Sequence, residues 1–358
     1  MMLFKKSPSS TNSYKAASKG NSNNFDVLRF FLAFTVLLIH ASYLSSADSL
    51  QFLPLILSSE VAVKSFFVVS GFLIFMSWEN SSSIKSYFSK RIRRIYPAYV
   101  TVILICAVLG ALVSSQSPVD YFGKDLAKYL IANLSFVNFI QPNLPGVFES
   151  NHLQAVNGAL WTLKIEVMFY LIVPIVSLVC VLYGRFLIFT LIFLASAFYS
   201  VLMGMYAHHS GSGMFIELQR QLPGQLTFFI VGAAGYYYFS FFNKYALWLV
   251  VGAVAAIFLK VYLPWELVEP LVIGILVIIF AAIFPPLGNF AKHGDLSYGI
   301  YILHFPVLQL FVISGMFNRA PYLALLSAIA VVLLLAFALW HLIERPFLSK
   351  ASHYVSKT

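Results

Sequence analysis

The sequence predicts an all-α, polytopic integral membrane protein with about ten transmembrane helices. Two observations predict this fold class. Of the 358 residues, 60% are hydrophobic and only 10% are charged, whereas a soluble domain carries about a quarter charged residues. The 35 Phe and 20 Tyr residues agree with a membrane location, because aromatic side chains are enriched at membrane interfaces.

Ten apolar segments are long enough to cross a bilayer, which takes about 20 residues in a helix. They are roughly residues 26–45, 56–78, 97–114, 160–182, 186–206, 224–241, 245–262, 267–284, 296–315 and 322–342. Only the sequence FFNK separates the sixth segment from the seventh, so that division is the least marked.

The basic residues predict the orientation of these segments. Fifteen Lys and Arg residues fall in connections on one predicted side, and five fall on the other, namely Lys124, Lys128, Arg220, Lys260 and Arg319. Cytoplasmic connections carry the excess of Lys and Arg, so both termini are predicted to be cytoplasmic. This placement accounts for the net charge of +10 without a nucleic-acid partner.

The chain is expected to form one transmembrane domain with two tails. Residues 1–24 are rich in Ser, Asn and Lys and are predicted to be a disordered cytoplasmic tail. Residues 25–348 are the membrane domain, and residues 349–358 a second cytoplasmic tail. The long connection 115–159 is predicted to lie outside, and connections of this length often act as lids or binding loops.

Two features have alternative interpretations. The N-terminal apolar run could be a secretory signal, but it is too long for one and contains Arg29 and His40. Cys106 and Cys180 both lie in apolar segments. They form neither a disulfide framework nor a zinc-binding spacing, and we expect them to be packing residues.

The first apolar segment carries ionisable residues. Arg29 and His40 are eleven positions apart, about 16 Å along a helix, so His40 lies deep in the membrane. Such a group is costly unless it has a partner or a function. A histidine bound to a neighbouring helix is one interpretation, and a catalytic histidine is the other.

Glu166 is the best candidate for a partner of His40. Glu166 lies about 9 Å inward from the outer end of the fourth segment, where Trp161 suits the interface, and His40 lies about 20 Å inward from the cytoplasmic end of the first segment. In a hydrocarbon core about 30 Å thick the two reach similar depths. A carboxylate that orients a histidine is one half of a general-base pair.

The run KRIRR, residues 90–94, is basic and lies at the predicted inner face. Such clusters commonly anchor topology or contact anionic lipid. Arginine also binds phosphate through two parallel hydrogen bonds, so Arg91 and Arg94 could instead hold a phosphorylated ligand. A third possibility is an ion pair between this run and Glu344.

Two further groups of polar residues lie inside apolar segments. Ser70-Gly71 permits close approach of helices, and Lys64 could pair with Glu60 one helical turn away. Tyr298 and His304, in the ninth segment, could hydrogen-bond either a ligand or a neighbouring helix.

Taken together, the motifs resemble those of membrane-bound acyltransferase family 3. They are Asp26-x-x-Arg29 followed by Arg-x10-His to His40; FFVVSGF at 66–72; Arg-x-x-Arg at Arg91 and Arg94; Trp-x-Leu-x-x-Glu from Trp161 to Glu166; Tyr298, Tyr301, His304 and Pro306 in Tyr-x-x-Tyr-x-x-His-x-Pro; and Glu344-x-Pro346. The resemblance runs from about residue 24 to 348. Thr162 stands where the family often has serine.

The resemblance implies transfer of an acyl group, most often acetyl, from cytoplasmic acyl-CoA to a hydroxyl of a glycan such as lipopolysaccharide. His40 would be the general base or would first accept the acyl group, with Glu166 as its partner. Donor-binding roles are implied for Arg29, Ser70, Arg91, Arg94, Tyr298 and His304, and supporting roles for Asp26, Lys64, Trp161, Tyr301 and Glu344.

The resemblance also sets expectations for partners and location. Acyl-CoA is the expected co-substrate, with no bound cofactor and no metal, and the acceptor is a glycan or lipid-linked sugar. The expected location is a bacterial inner membrane. Two alternatives are a transporter or flippase for a glycan or small anionic solute, since buried ionisable residues also mark substrate paths, and a glycan polymerase or ligase.

Overall fold

The computed structural model describes residues 23–288 and 294–348. These residues form helices and connections, and no β-strand occurs among them, which agrees with the predicted all-α class. The two predicted tails lie outside the described residues, apart from residues 23 and 24.

Helices longer than ten residues are labelled here in chain order. They are α1 (Phe25–Ser45), α2 (Ser59–Glu79), α3 (Ile84–Val113), α4 (Lys124–Leu134), α5 (Trp161–Tyr183), α6 (Arg185–Ser210), α7 (Leu222–Tyr237), α8 (Ala246–Phe258), α9 (Trp265–Ile278), α10 (Ser297–Ile313) and α11 (Pro321–Leu339). A π-helical turn continues α9 over Ile279–Ile283, and another continues α11 over Trp340–Glu344.

Every predicted apolar segment coincides with one of these helices. Seven helical segments among the described residues are long and apolar enough to span a membrane, so the protein is a multi-pass membrane protein. The helices α7, α8 and α10 have 16, 13 and 17 residues, which is short for a span of about 20. The count of ten crossings therefore stays a prediction.

The connection 115–159 has secondary structure of its own. It contains α4, of 11 residues, and a single helical turn at Pro118–Tyr121. The Tyr121 hydroxyl donates to the Ala107 carbonyl of α3 (2.6 Å) and the Ser114 hydroxyl donates to the Pro145 carbonyl (2.7 Å). These contacts make the connection a folded segment that packs against α3.

The described residues group into two compact units. The first unit contains residues 23–28, 63–88 and 165–288, and the second contains residues 29–62, 89–164 and 294–348. Helices α6 to α9 belong wholly to the first unit, and α4, α10 and α11 belong wholly to the second.

In the first unit, α2 and α7 cross at two glycines. A Cβ atom at Gly71 would lie 1.9 Å from the Phe229 carbonyl oxygen, and one at Gly232 would lie 2.0 Å from the Val68 carbonyl oxygen. Only glycine permits backbones to approach this closely. The packing role expected of the Ser70-Gly71 pair is thus present at Gly71.

Proline inside α5 is compensated by a tyrosine of the first unit. Pro174 has no N–H and leaves the carbonyl four residues earlier, that of Tyr170, without its helical partner. The buried Tyr87 hydroxyl donates to this carbonyl at 3.2 Å. A polar side chain therefore satisfies the backbone group that the proline frees.

In the second unit, α10 is the central helix, since the side chains from Ser297 to Gln309 are all buried. Pro306 frees the Ile302 carbonyl in the same way, and the Asn157 amide donates to it at 2.8 Å. The Gln309 amide donates to the carbonyls of Leu153 and Ala155. These bonds fix the end of the 115–159 connection against α10.

Candidate active site

The two units divide the predicted site residues. The second unit holds Arg29, His40, Arg91, Arg94, Trp161, Tyr298, Tyr301, His304 and Glu344, and the first holds Asp26, Lys64, Ser70 and Glu166. Most of the predicted site is therefore carried by α1, α3 and α10 of one compact unit.

His40 and His304 are hydrogen-bonded to each other. His40 Nδ1 lies 2.7 Å from His304 Nε2, and His304 Nδ1 lies 3.2 Å from the Ile300 carbonyl oxygen. His304 is completely buried, whereas His40 keeps accessible surface. The pair thus joins a half-buried histidine of α1 to a completely buried histidine of α10.

Aromatic side chains hold the two imidazoles in place. The Phe305 ring meets His40 edge to face, with ring centroids 5.4 Å apart, and the Tyr301 ring meets His304 in the same way at 5.8 Å. The Tyr301 hydroxyl is hydrogen-bonded to Thr162 Oγ1 at 2.7 Å. Tyr301 therefore joins His304 to Thr162, and its supporting role stays a prediction.

Asp295 connects three charged or polar side chains at the start of α10. Its carboxylate binds the guanidinium groups of Arg29 and Arg94, and it accepts from the Ser297 hydroxyl. The Asp295 side chain is 1% exposed. Burial by itself would raise the pKa of this carboxyl, but Arg29, Arg94 and the Ser297 hydrogen bonds outweigh it and hold the pKa well below its usual range.

Two further groups enclose this cluster. Arg94 Nη1 lies 3.4 Å from Glu344 Oε2, and the guanidinium lies over the Trp340 ring. Gly294 has φ +103°, and a Cβ there would lie 2.1 Å from the Trp340 indole nitrogen, so only glycine fits before Asp295. The Glu344 ion pair that the sequence left open is present at Arg94.

The ion pairs with Asp295 affect the donor-binding roles predicted for Arg29 and Arg94. Arg29 and Arg94 are 18% and 14% exposed and their guanidinium groups are bound to Asp295, so much of their charge is already balanced. The Tyr298 hydroxyl donates to the Ile95 carbonyl at 3.0 Å, which joins α10 to α3. Arg91 is half-buried, close to the same cluster in sequence.

The sequence motifs assign no role to Asp295, although its position in the sequence indicates an ion pair. It is an acidic residue directly before an apolar helix at the predicted inner face, at the same level as Arg29 and the KRIRR run. An unpaired carboxylate there would be costly, and that cost could have pointed to an ion pair with these arginines.

The predicted site residues of the first unit have their own partners. Glu166 accepts from the Tyr170 hydroxyl at 2.6 Å. Lys64 binds Glu269 at 2.7 Å and lies 5.4 Å from the centre of the Phe228 ring. The pairing of His40 with Glu166 would join residues of different units and stays a prediction.

Within residues 23–288 and 294–348, no group of three or more His, Cys, Asp or Glu side chains is placed to hold a metal ion. Cys106 and Cys180 are free cysteines.

Comparisons with known proteins place the chain among acyltransferases. A family model described as an acyltransferase domain matches residues 22–341. An O-acetyl transferase of Shigella phage Sf6 is 28% identical over 94% of this chain and 98% of its own length. Nodulation protein 10 of Rhizobium leguminosarum bv. viciae is 28% identical over 95% of this chain and 97% of its own.

A putative acetyltransferase of Acidianus two-tailed virus is 26% identical over 75% of this chain and 79% of its own length. No solved structure matches the chain. Because the family model covers most of the sequence and agrees with its motifs, the chain belongs to the membrane-bound acyltransferase family 3 and is an enzyme of acyl transfer.

Proposed function

We propose that this enzyme transfers an acyl group, most simply acetyl, from cytoplasmic acyl-CoA to a hydroxyl of a cell-surface or exported glycan. His40 is the general base. One observation carries the proposal: His40 is hydrogen-bonded to the buried His304 and still keeps accessible surface. A histidine that keeps accessible surface and has a fixed hydrogen-bond partner is suited to removing a proton from a hydroxyl.

The reaction requires one proton to move twice. The acceptor hydroxyl oxygen attacks the thioester carbonyl carbon while His40 takes the hydroxyl proton. The carbon–sulfur bond then breaks, and the imidazolium of His40 returns the proton to the leaving thiolate. The products are the O-acyl glycan and free CoA, and His40 is restored to its neutral form.

The basic run 90–94 is the proposed binding site for the phosphates of CoA. Arg94 also binds Asp295 and Glu344, and Arg93 is exposed, so phosphate binding is shared among Arg91, Arg93 and Arg94. Arginine is suited to this because its planar guanidinium matches two phosphate oxygens. Arg29 and Arg94, bound to Asp295, then form one side of the proposed phosphate-binding site.

The acceptor is proposed to approach from the 115–159 connection. A cavity of about 620 Å³ in this connection is lined by residues that include Gln116, Gln141, Asn143, Glu149 and Gln154. Its volume lies within the range of about 300–1,000 Å³ found for ligand pockets. Amide and carboxylate groups both accept hydrogen bonds and the amides also donate them, which suits a ligand rich in hydroxyls.

Glu166 keeps its proposed role of stabilising the imidazolium of His40. Its carboxylate would offset the positive charge that forms when His40 takes the proton. Substitution of Glu166 by Gln tests this role, since the amide keeps the hydrogen bonding of the side chain but carries no charge.

The alternative is a transporter or flippase of a glycan or small anionic solute. The family match and the O-acetyl transferase relative favour acyl transfer. A transporter would also have no use for a bound thioester donor.

The test is to supply labelled acetyl-CoA to membranes from bacteria that express the chain or an empty vector. Label that enters extracted glycan only with the chain, together with a glycan mass raised by one acetyl group, supports the proposal. No label in glycan, with movement of an unmodified glycan across the membrane, would favour the transporter. The proposed location is the inner membrane of a bacterium, where both the donor and a glycan precursor are accessible.

A further inference from the structure

A chain of hydrogen bonds runs from a backbone carbonyl through His304 to His40. The Ile300 carbonyl oxygen can only accept a hydrogen bond, so His304 Nδ1, 3.2 Å away, carries a hydrogen. His304 is completely buried, where a charged imidazolium would be costly. A neutral His304 with hydrogen on Nδ1 presents a lone pair at Nε2.

The same reasoning fixes the state of His40. His40 Nδ1 lies 2.7 Å from His304 Nε2, and the lone pair on that nitrogen requires a hydrogen on His40 Nδ1. The remaining ring nitrogen of a neutral His40, Nε2, therefore has a free lone pair. That nitrogen is the proton acceptor that the proposed reaction needs.

The arrangement of the rings agrees with this hydrogen bond. The two imidazoles are nearly parallel, at 7°, with centroids 5.0 Å apart. With the nitrogens 2.7 Å apart, this geometry places the rings edge to edge in one plane. The N–H of one ring then points along the lone pair of the other, which is the favourable geometry for a hydrogen bond.

Resting on the proposed function, we propose that His304 is a positioning residue that holds His40 in the tautomer whose Nε2 accepts the proton from the acceptor hydroxyl. The sequence resemblance had implied a donor-binding role for His304. Its complete burial and its two hydrogen bonds favour the positioning role instead. When His40 becomes charged, the lone pair of His304 Nε2 keeps accepting from Nδ1–H and stabilises the imidazolium.

The positioning role predicts a specific order of activities among three variants. In His304→Gln, the amide oxygen reaches the position of Nε2 and can accept from His40 Nδ1–H. In His304→Asn the shorter amide ends near the position of Nδ1, and in His304→Leu no acceptor remains. We expect kcat to fall at least 100-fold in the Leu and Asn variants and less than 10-fold in the Gln variant.

The measurement is the rate of acetyl transfer from labelled acetyl-CoA by the full chain in membranes. We expect KM for acetyl-CoA to stay within twofold of the wild-type value in all three variants. A raised KM with unchanged kcat would overturn the proposal and return His304 to donor binding. Equal losses in the Gln and Leu variants, both of which still elute as folded protein in detergent, would also overturn it.

A spectroscopic measurement tests the tautomer without activity. In protein labelled with ¹⁵N-histidine, the His40 signals of the wild type should show a protonated Nδ1 and an unprotonated Nε2, and His304→Leu should lose this preference. A His40 with hydrogen on Nε2 in the wild type would overturn the positioning role. If the tautomer is confirmed but acetyl-CoA donates no label, the proposed function fails while the assignment of the hydrogen bonds holds.

Discussion

Asp295 binds both Arg29 and Arg94, so removing its charge measures how far the second unit depends on this cluster. Asp295→Asn would leave two mostly buried guanidinium groups without their shared carboxylate. Breaking a buried ion pair destabilises a protein by about 3–5 kcal/mol. We expect a loss of about 3 kcal/mol in the free energy of unfolding, measured by thermal unfolding of the purified protein in detergent.

A matched control comes from the exposed pair Asp125–Lys128, whose side chains are 61% and 65% exposed. Asp125→Asn should change stability by less than about 1 kcal/mol. Similar losses in Asp125→Asn and Asp295→Asn would contradict the structural role of the cluster.

The pKa of Asp295 also predicts a pH dependence. Because the folded protein holds this pKa below its usual value of about 3.9, ionised Asp295 stabilises the protein above about pH 4 and the stabilisation is lost as pH falls further. The wild type should therefore lose more stability than Asp295→Asn when pH is lowered from about 5 to about 3. If the stability of the wild type and of Asp295→Asn fell equally with pH, ionised Asp295 would not contribute to stability in this way.

At the scale of single residues, most of the groups in the second unit could be identified from the sequence, but of their partners only Glu344 was a candidate, for the basic run 90–94. The motifs predict functional roles for both His40 and His304 but not their pairing, because counting residues along a helix gives a depth and not a neighbour. The contact of Asp295 with Arg29 and Arg94 joins three distant stretches of chain, and no local pattern encodes such a contact.

At the scale of helices, the crossing of α2 and α7 depends on two glycines. Gly71→Ala would place a methyl group 1.9 Å from the Phe229 carbonyl oxygen, a backbone atom that cannot move aside without displacing α7. Overpacking of this kind costs about 1–3 kcal/mol or more. We expect Gly71→Ala to lower the thermal unfolding midpoint of the protein in detergent.

Gly252 in α8 provides the matched control, since no atom lies within 4 Å of a Cβ built there. Gly252→Ala should be neutral or stabilise the helix by up to about 1 kcal/mol, because alanine is the better helix former. A Gly71→Ala variant as stable as Gly252→Ala would show that the two backbones are not in contact at this crossing.

The positions of the helices could be predicted from hydropathy, and every predicted apolar segment coincides with a helix. The ends of α7 and α8 could not, because both helices end four residues before the predicted segments do, at turns that the apolar pattern runs through. The helix α4 was also not predicted, since its sequence KDLAKYLIANL is amphipathic and too short to stand out as a span. Compensation of Pro174 by Tyr87 and of Pro306 by Asn157 needed the tertiary structure.

At the scale of the whole molecule, the orientation in the membrane is the main untested prediction. With Cys106 and Cys180 replaced by serine, single cysteines are introduced at Ser150 of the 115–159 connection and at Ser82 between α2 and α3. A membrane-impermeant thiol reagent added to intact cells should label the cysteine at position 150 and not the one at position 82. The reverse pattern would invert the topology and place the basic run 90–94 outside.

The family could be predicted from the sequence because its motifs are spread over nearly the whole chain, and the matched residues 22–341 confirm it. The identity of the acceptor could not, because hydroxyl-rich ligands are recognised by common polar residues such as those of the 115–159 connection. These residue types occur on most protein surfaces and form no specific motif.

The most direct measurement is the initial rate at which the His40→Ala variant moves label from acetyl-CoA into glycan, compared with the wild type at equal amounts of folded protein. His341→Ala is the control, because this half-buried histidine lies in the π-helical turn that continues α11 and has no part in the proposed reaction. If His40 is the general base, the rate should fall by about a thousandfold in His40→Ala and stay unchanged in His341→Ala. Equal rates in wild type and His40→Ala would contradict a catalytic role for His40.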